Sequence, residues 1–110
     1  MSDEKRITIL LTDQAPVAIV DAQWPVIMTH EETRINSQME PVVQSRVTVR
    51  RSDEGTHLVY GEGLLAKGGY VVPPGVNVAG RIELLCMVIG IDRPHAFARE
   101  CIQKLPAVNI

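Results

Sequence analysis

Aromatic side chains are scarce in this chain: one tryptophan, two tyrosines and one phenylalanine, 4% of 110 residues. Its core must therefore be filled with aliphatic side chains. Histidine and cysteine are also few, three and two. His30, His57 and His95 are isolated, and Cys86 and Cys101 lie far apart, so nothing has the paired spacing of a four-ligand zinc site. No metal and no cofactor is expected. The longest nearly apolar stretch, Ile82 to Ile91, is broken by Glu83 and falls well short of the roughly 20 residues that span a bilayer. Positive charge is not in excess either: 11 Lys and Arg stand against 13 Asp and Glu, for a net charge of −2 and a pI near 5.9. That balance removes any global attraction to nucleic acid or anionic membrane. The charged opening "MSDEKR" precedes only a short apolar run, unlike a signal peptide. With two cysteines in apolar runs, suited to a reduced compartment, a cytoplasmic protein without membrane contact is expected.

What is present is an ordinary globular balance, 45% hydrophobic and 22% charged, which suits one domain over residues 1–110. Runs 6–12 and 15–20 read as β-strands, the second an edge because Pro16 cannot donate to a ladder. Residues 21–25, "DAQWP", read as a turn, and 26–31 as another strand. Residues 32–42 are polar and irregular, the best candidate for a mobile loop. After a Gly/Pro segment at 66–75, residues 77–90 are long enough for a helix that Gly90 ends. A buried strand over 82–91 is the rival reading. Residues 92–106 make a better helix, with Asp92 as cap, Pro94 in the first turn, a stripe of Phe97, Cys101, Ile102 and Leu105, and Pro106 as stop. Strands first and helices last predict an α+β fold: an antiparallel sheet with two C-terminal helices on one face.

The hairpin at 46–61 carries the candidate binding residues. "RVTVRR" and "THLVYG" flank "SDEG", where Gly55 supplies a positive φ. Pairing Arg51 with Thr56 sets Val49 against Leu58 and Val47 against Tyr60 on an apolar face. The opposite face then collects Arg46, Thr48 and Arg50 with Gly61, Val59 and His57, and is expected in solvent. Arg46, Arg50 and His57 are thus the candidate contacts, and a ribbon of this kind can enter a DNA groove. Arg34, Arg51 and Lys67 could extend the patch along phosphates. Asp53, Glu54 and Glu62 lie close by and oppose it.

Catalytic signals fail on inspection. "MTHEETR" (28–34) approaches the His-Glu-x-x-His of zinc proteases, but Arg34 stands where the second ligand should be. On a strand, His30 and Glu32 would share a face and Glu31 would not. "YGEGLLAKGG" has glycines and a lysine, yet runs into "YVVPPG", which cannot open the helix a phosphate loop needs. Cys101 lies on an apolar stripe and reads as a packed thiol. No catalytic residue is assigned, and a non-enzymatic protein is expected.

"AQWPVI" (22–27), "VTVR…DEGTHLVYG" (47–61), Pro74–Gly75 and "ECIQKLPA" (100–107) together resemble a family of small uncharacterised proteins of proteobacterial genomes and their mobile elements. That family shows a Trp-Pro turn, a hairpin with Asp-Gly near its tip and Val-Tyr-Gly after it, and a C-terminal helix ending in Leu-Pro. Here Glu54 separates Asp53 from Gly55. The resemblance brings no activity with it, and implies an accessory protein that binds other macromolecules. The expectation is an interaction or accessory module with an unidentified protein partner. A homodimer is expected too, because Ile82, Leu84, Leu85, Met87, Val88 and Ile89 point around nearly the whole circumference of their helix. A nucleic-acid-binding regulator using the basic hairpin face is the alternative.

Overall fold

Extended segments occupy the first two thirds of the chain and helices the last. The computed structural model describes the backbone of residues 6–10, 17–21 and 24–106, and side chains within 24–106. The elements are β1 (Arg6–Leu10), β2 (Val17–Asp21), β3 (Val26–Ile35), β4 (Pro41–Arg51), β5 (His57–Glu62), β6 (Lys67–Val72), α1 (Val78–Val88) and α2 (Pro94–Lys104). β1 and β2 pair with each other, and β3 to β6 form an antiparallel sheet in chain order. α1 packs on β5 and β6, α2 on β3 and on α1, and β1 lies beside β6. The fold is α+β, as the order of elements predicts. Parts of the expected first strands and turn, residues 11–16, 22 and 23, lie outside the described residues.

The core forms between the sheet and the helices. Val47, Val49, Val59, Tyr70, Val72 and Met28 meet Ile82, Leu85, Cys86 and Ile89 of α1 and Phe97, Ala98 and Cys101 of α2. With so few rings, β-branched side chains fill the pleats of the sheet. Arg81 reaches back over Tyr70, 5.5 Å from the ring centre.

α1 is a helix, so the rival strand over 82–91 falls. Asn77 caps it by accepting from the Gly80 amide at 3.3 Å. It ends where Gly90 turns to φ +80 and the Ile91 amide donates back to the Cys86 carbonyl, a Schellman closure that places glycine at the left-handed position. Its burial corrects one expectation. Ile82, Leu85 and Cys86 are buried, but Met87 is 49% exposed and Leu84 and Val88 are half-buried. The helix buries one side only, so its composition by itself calls for no second chain.

Three further expectations are corrected. Asp92 does not cap α2; Arg93 does the capping backbone turn at φ +54, with no side-chain cap bond. Pro94 disfavours the right-handed helical region for the residue before it. The Gly/Pro segment at 66–75 contains strand β6. Residues 32–42 are ordered structure: β3 runs on to Ile35, β4 begins at Pro41, and a tight turn joins them.

The fifth correction concerns register. Arg51 pairs with His57, Val49 with Val59 and Val47 with Gly61, one residue away from the expected pairing. The loop holds Asp53, Glu54 and Gly55, closed by a Ser52–Thr56 pair. The Ser52 amide donates to the Thr56 carbonyl at 2.8 Å, and the Ser52 hydroxyl accepts from the Thr56 and Glu54 amides. That hydroxyl fixes the turn one residue tighter than the glycine alone suggests. The slip exchanges side chains between faces. Leu58 and Tyr60 move to the side of Arg46 and Arg50, whereas Val59 and His57 join the helix-covered side.

Candidate interaction site

Arg46 and Arg50 do project from one side of the hairpin, as expected, but His57 is on the other. On the side away from the helices, four strands set four charges in a row. Glu31 pairs with Arg46, Arg46 with Glu62, and Glu62 with Lys67. Arg46 donates to Glu31 Oε2 from Nε at 2.7 Å and Nη2 at 2.6 Å. Alternating signs on directly opposed residues favour one another, and the row is close to neutral. Arg50 is turned inward: Nε donates to the Tyr60 hydroxyl at 2.9 Å and Nη1 to the Trp24 carbonyl at 2.8 Å. Leu58 and Thr48 are buried on this side, so it is not the uniformly solvated face expected. Burial, and then the neighbouring Arg51 charge, hold His57 below the usual histidine value, against a weaker upward pull from the Gly55 backbone.

The segment "MTHEETR" supplies a polar corner under α2. His30 and Glu32 share the helix side of β3. His30 Nε2 lies 2.7 Å from Glu100 Oε1, and its ring meets Phe97 edge-on with centroids 4.7 Å apart. An adjacent cleft of ≈ 180 Å³ is lined by these residues with Asp92 and Arg93. His30 Nδ1, Glu32 Oε1 and Ser45 Oγ are buried without hydrogen-bond partners. A histidine oriented by a carboxylate is half of an acid–base pair. The serine that could complete such a pair is itself fully buried, opposite Glu32. Among the described residues, no three of His, Cys, Asp and Glu are grouped to hold a metal ion. The two thiols, Cys86 and Cys101, are buried between the helices. The bond to Cys86, and then burial, push the Cys101 thiol far up, which leaves it protonated and a poor nucleophile.

The feature that sequence reading missed is the far half of the β3–β4 hairpin. Beyond His30 and Ser45, α2 no longer covers the two strands, and nearly every residue from Thr33 to Val43 is exposed. A ribbon results whose apolar side chains face water: Ile35 is 59%, Met39 80% and Val43 46% exposed. Its tip is built rather than loose. Asn36 Oδ1 accepts from the Gln38 and Glu40 amides at 2.8 and 2.9 Å, and the Asn36 amide donates to the Glu40 carbonyl. Met39 takes a left-handed φ of +63, a conformation that costs a side-chain-bearing residue about 1–2 kcal/mol. The one available signal was Asn36, whose side chain often closes turns upon itself.

The chain matches no family model, no curated protein and no solved structure. Among the described residues, no helix is long and apolar enough to cross a membrane.

Proposed function

We propose that this chain is a small non-enzymatic interaction module of the cytoplasm that acts as a homodimer and offers its ribbon to a protein partner. The exposed ribbon of residues 33–43 is the observation that carries the reading. Its apolar side chains stay largely in water, yet they are held on a hydrogen-bonded scaffold. Ordered, exposed apolar side chains are surface that a partner can desolvate at little conformational cost. An accessory role in a mobile element or phage, which the family resemblance implies, belongs to the same reading.

The charge row also favours this class over a regulator that grips phosphates. Glu31 and Glu62 flank Arg46, and Arg50 spends its donors inside the fold. The test replaces Ile35, Met39 and Val43 together with serine. Light scattering should show assembly in the wild type and its loss in the variant, with the thermal transition retained. Unchanged assembly in the variant would overturn the ribbon's role. Nanomolar binding to duplex DNA at physiological salt that fails on Arg46→Glu would instead establish the regulator, since non-specific binding lies at about 10⁻⁴–10⁻⁶ M.

A further inference from the structure

β3 is the outer strand of its sheet, and none of the described residues pairs with its free edge. Hydrogen bonds in an antiparallel pair alternate along each strand. Arg51 donates to the Pro25 carbonyl and Asn36 to the Glu40 carbonyl. With the register shifts at Val26/Met28 and Glu32/Thr33, Met28, His30, Glu32, Arg34 and Asn36 then turn their amides toward β4. Thr29, Glu31, Thr33 and Ile35 turn theirs outward, toward none of the described residues. An open edge of this length is a template for another strand, unless charges or proline blunt it. β3 has charges on it, but their order matters.

We infer that β3 pairs antiparallel with β3 of a second copy, about a two-fold axis at Thr33, joining the two sheets into one. This deepens the homodimer reading above and rests on it. A two-fold pairing must match outward residues with outward residues, which leaves few registers. Centred on Thr33, Thr33 faces its own copy and Glu31 faces Ile35 of the second copy. Glu32 faces Arg34 of the second copy, and symmetry repeats that pair. Moving the centre to Glu32 sets two carboxylates face to face, and moving it to Arg34 sets two guanidiniums face to face. Like charges directly opposed destabilise a sheet, whereas opposite charges and Thr–Thr pairs favour it. The sequence "EETR" thus admits one register and rejects its neighbours on both sides. Two-fold self-complementarity is what an isologous interface requires.

The pairing also gives the ribbon's apolar side chains a place. Ile35 lies beyond α2, two residues from the axis, where it packs on the methylenes of the second copy's Glu31. The partner's tip, with Met39, extends along the free edge toward Ile27.

The test uses the purified full chain and three variants in sedimentation equilibrium across the micromolar range. Wild type should approach twice the 12.1 kDa chain mass. Thr33→Pro removes an outward amide and adds a ring to the edge without taking a bond from the β3–β4 ladder; it should be monomeric with its thermal transition retained. Arg34→Glu should weaken the dimer about tenfold or more, since two pairs reverse at once. Glu32→Lys combined with Arg34→Glu should restore it. A dimer that survives Thr33→Pro and Arg34→Glu would overturn the β3 pairing and leave the homodimer standing on another surface. A wild type that stays monomeric at about 100 μM, above the range where specific interfaces hold, would overturn both. Failure of the charge exchange to rescue a dimer lost in Arg34→Glu would overturn the register.

Discussion

Two of the sheet's three hairpin loops, Asn36–Glu40 and Ser52–Thr56, are the same turn built from different residues. In each, the first residue's amide donates to the carbonyl four residues on, and its side-chain oxygen accepts from the second and fourth amides that follow. In each, the fourth residue donates back to the first carbonyl and adopts a positive φ: +63 at Met39 and +91 at Gly55. Only the occupants of that position differ in kind. Glycine sits there without steric cost at the end of the hairpin that meets the body of the fold. Methionine sits there under strain at the end of the ribbon that stands in solvent, and is 80% exposed. The turn is therefore specified by the oxygen at its start, and glycine makes it cheap. A strained backbone that displays an apolar side chain marks a position chosen for what it presents.

The largest change should come from removing the cheap solution. Gly55→Ala meets no steric neighbour, because an added Cβ would lie 3.8 Å from Pro74 Cγ at the nearest. Its cost is conformational, about 1–2 kcal/mol, read as an earlier midpoint in urea unfolding. A loss below about 0.5 kcal/mol would mean that φ at this position is soft, and the strain assigned to Met39 would go with it.

The reverse exchange should give a smaller gain. Met39→Gly relieves the left-handed penalty but adds backbone freedom to the unfolded chain, for a net stabilisation of about 0.5–1 kcal/mol in the monomer. If the ribbon is an interaction surface, the same change should weaken assembly while it raises the monomer's melting temperature. A variant that loses stability would show that the methionine side chain packs on its own domain.

Glycine is also why the two loops were unequally legible. Gly55 made the second hairpin readable at "SDEG", and the residues between flanking strands were placed correctly to within one. "NSQME" has no glycine, and the strand ends that flank it carry no buried face, since burial patterning fades once the helices end. An exposed ribbon reads as polar and irregular, which is why the sequence of 32–42 suggests a loop. Helices α1 and α2 were legible because their apolar runs are bounded by Asn77, Gly90, Pro94 and Pro106. The charge row was hidden because Glu31, Arg46, Glu62 and Lys67 become neighbours only through the pairing of four strands. A slip of one residue, which in a strand is a change of face, carries His57 to the helix side and brings Tyr60 beside Arg50, whose guanidinium it turns inward.

The smallest predicted effect tests whether the two turns are one device. Ser52→Ala removes an oxygen that accepts from the Glu54 and Thr56 amides at 3.3 and 3.1 Å. Asn36→Ala removes one that accepts from Gln38 and Glu40 at 2.8 and 2.9 Å. Both loops lie near solvent, so the freed amides can bond to water, and the loss should fall near the low end for a hydrogen bond, about 0.5 kcal/mol. The bonds at Asn36 are shorter, and they also hold a strained residue in place. Without the oxygen, Met39 has one support fewer for its left-handed backbone and can relax. Part of the lost bonding energy is then returned as released strain, whereas Gly55 has almost none to return. Asn36→Ala should therefore cost no more than Ser52→Ala in stability, despite its better geometry. It should, however, loosen the tip: amide exchange at Met39 and Glu40 should accelerate more than at Gly55 and Thr56 in the matching variant. A clearly larger stability loss at Asn36, with exchange unchanged, would show that Met39 is not strained and that the two turns differ in more than their fourth residue.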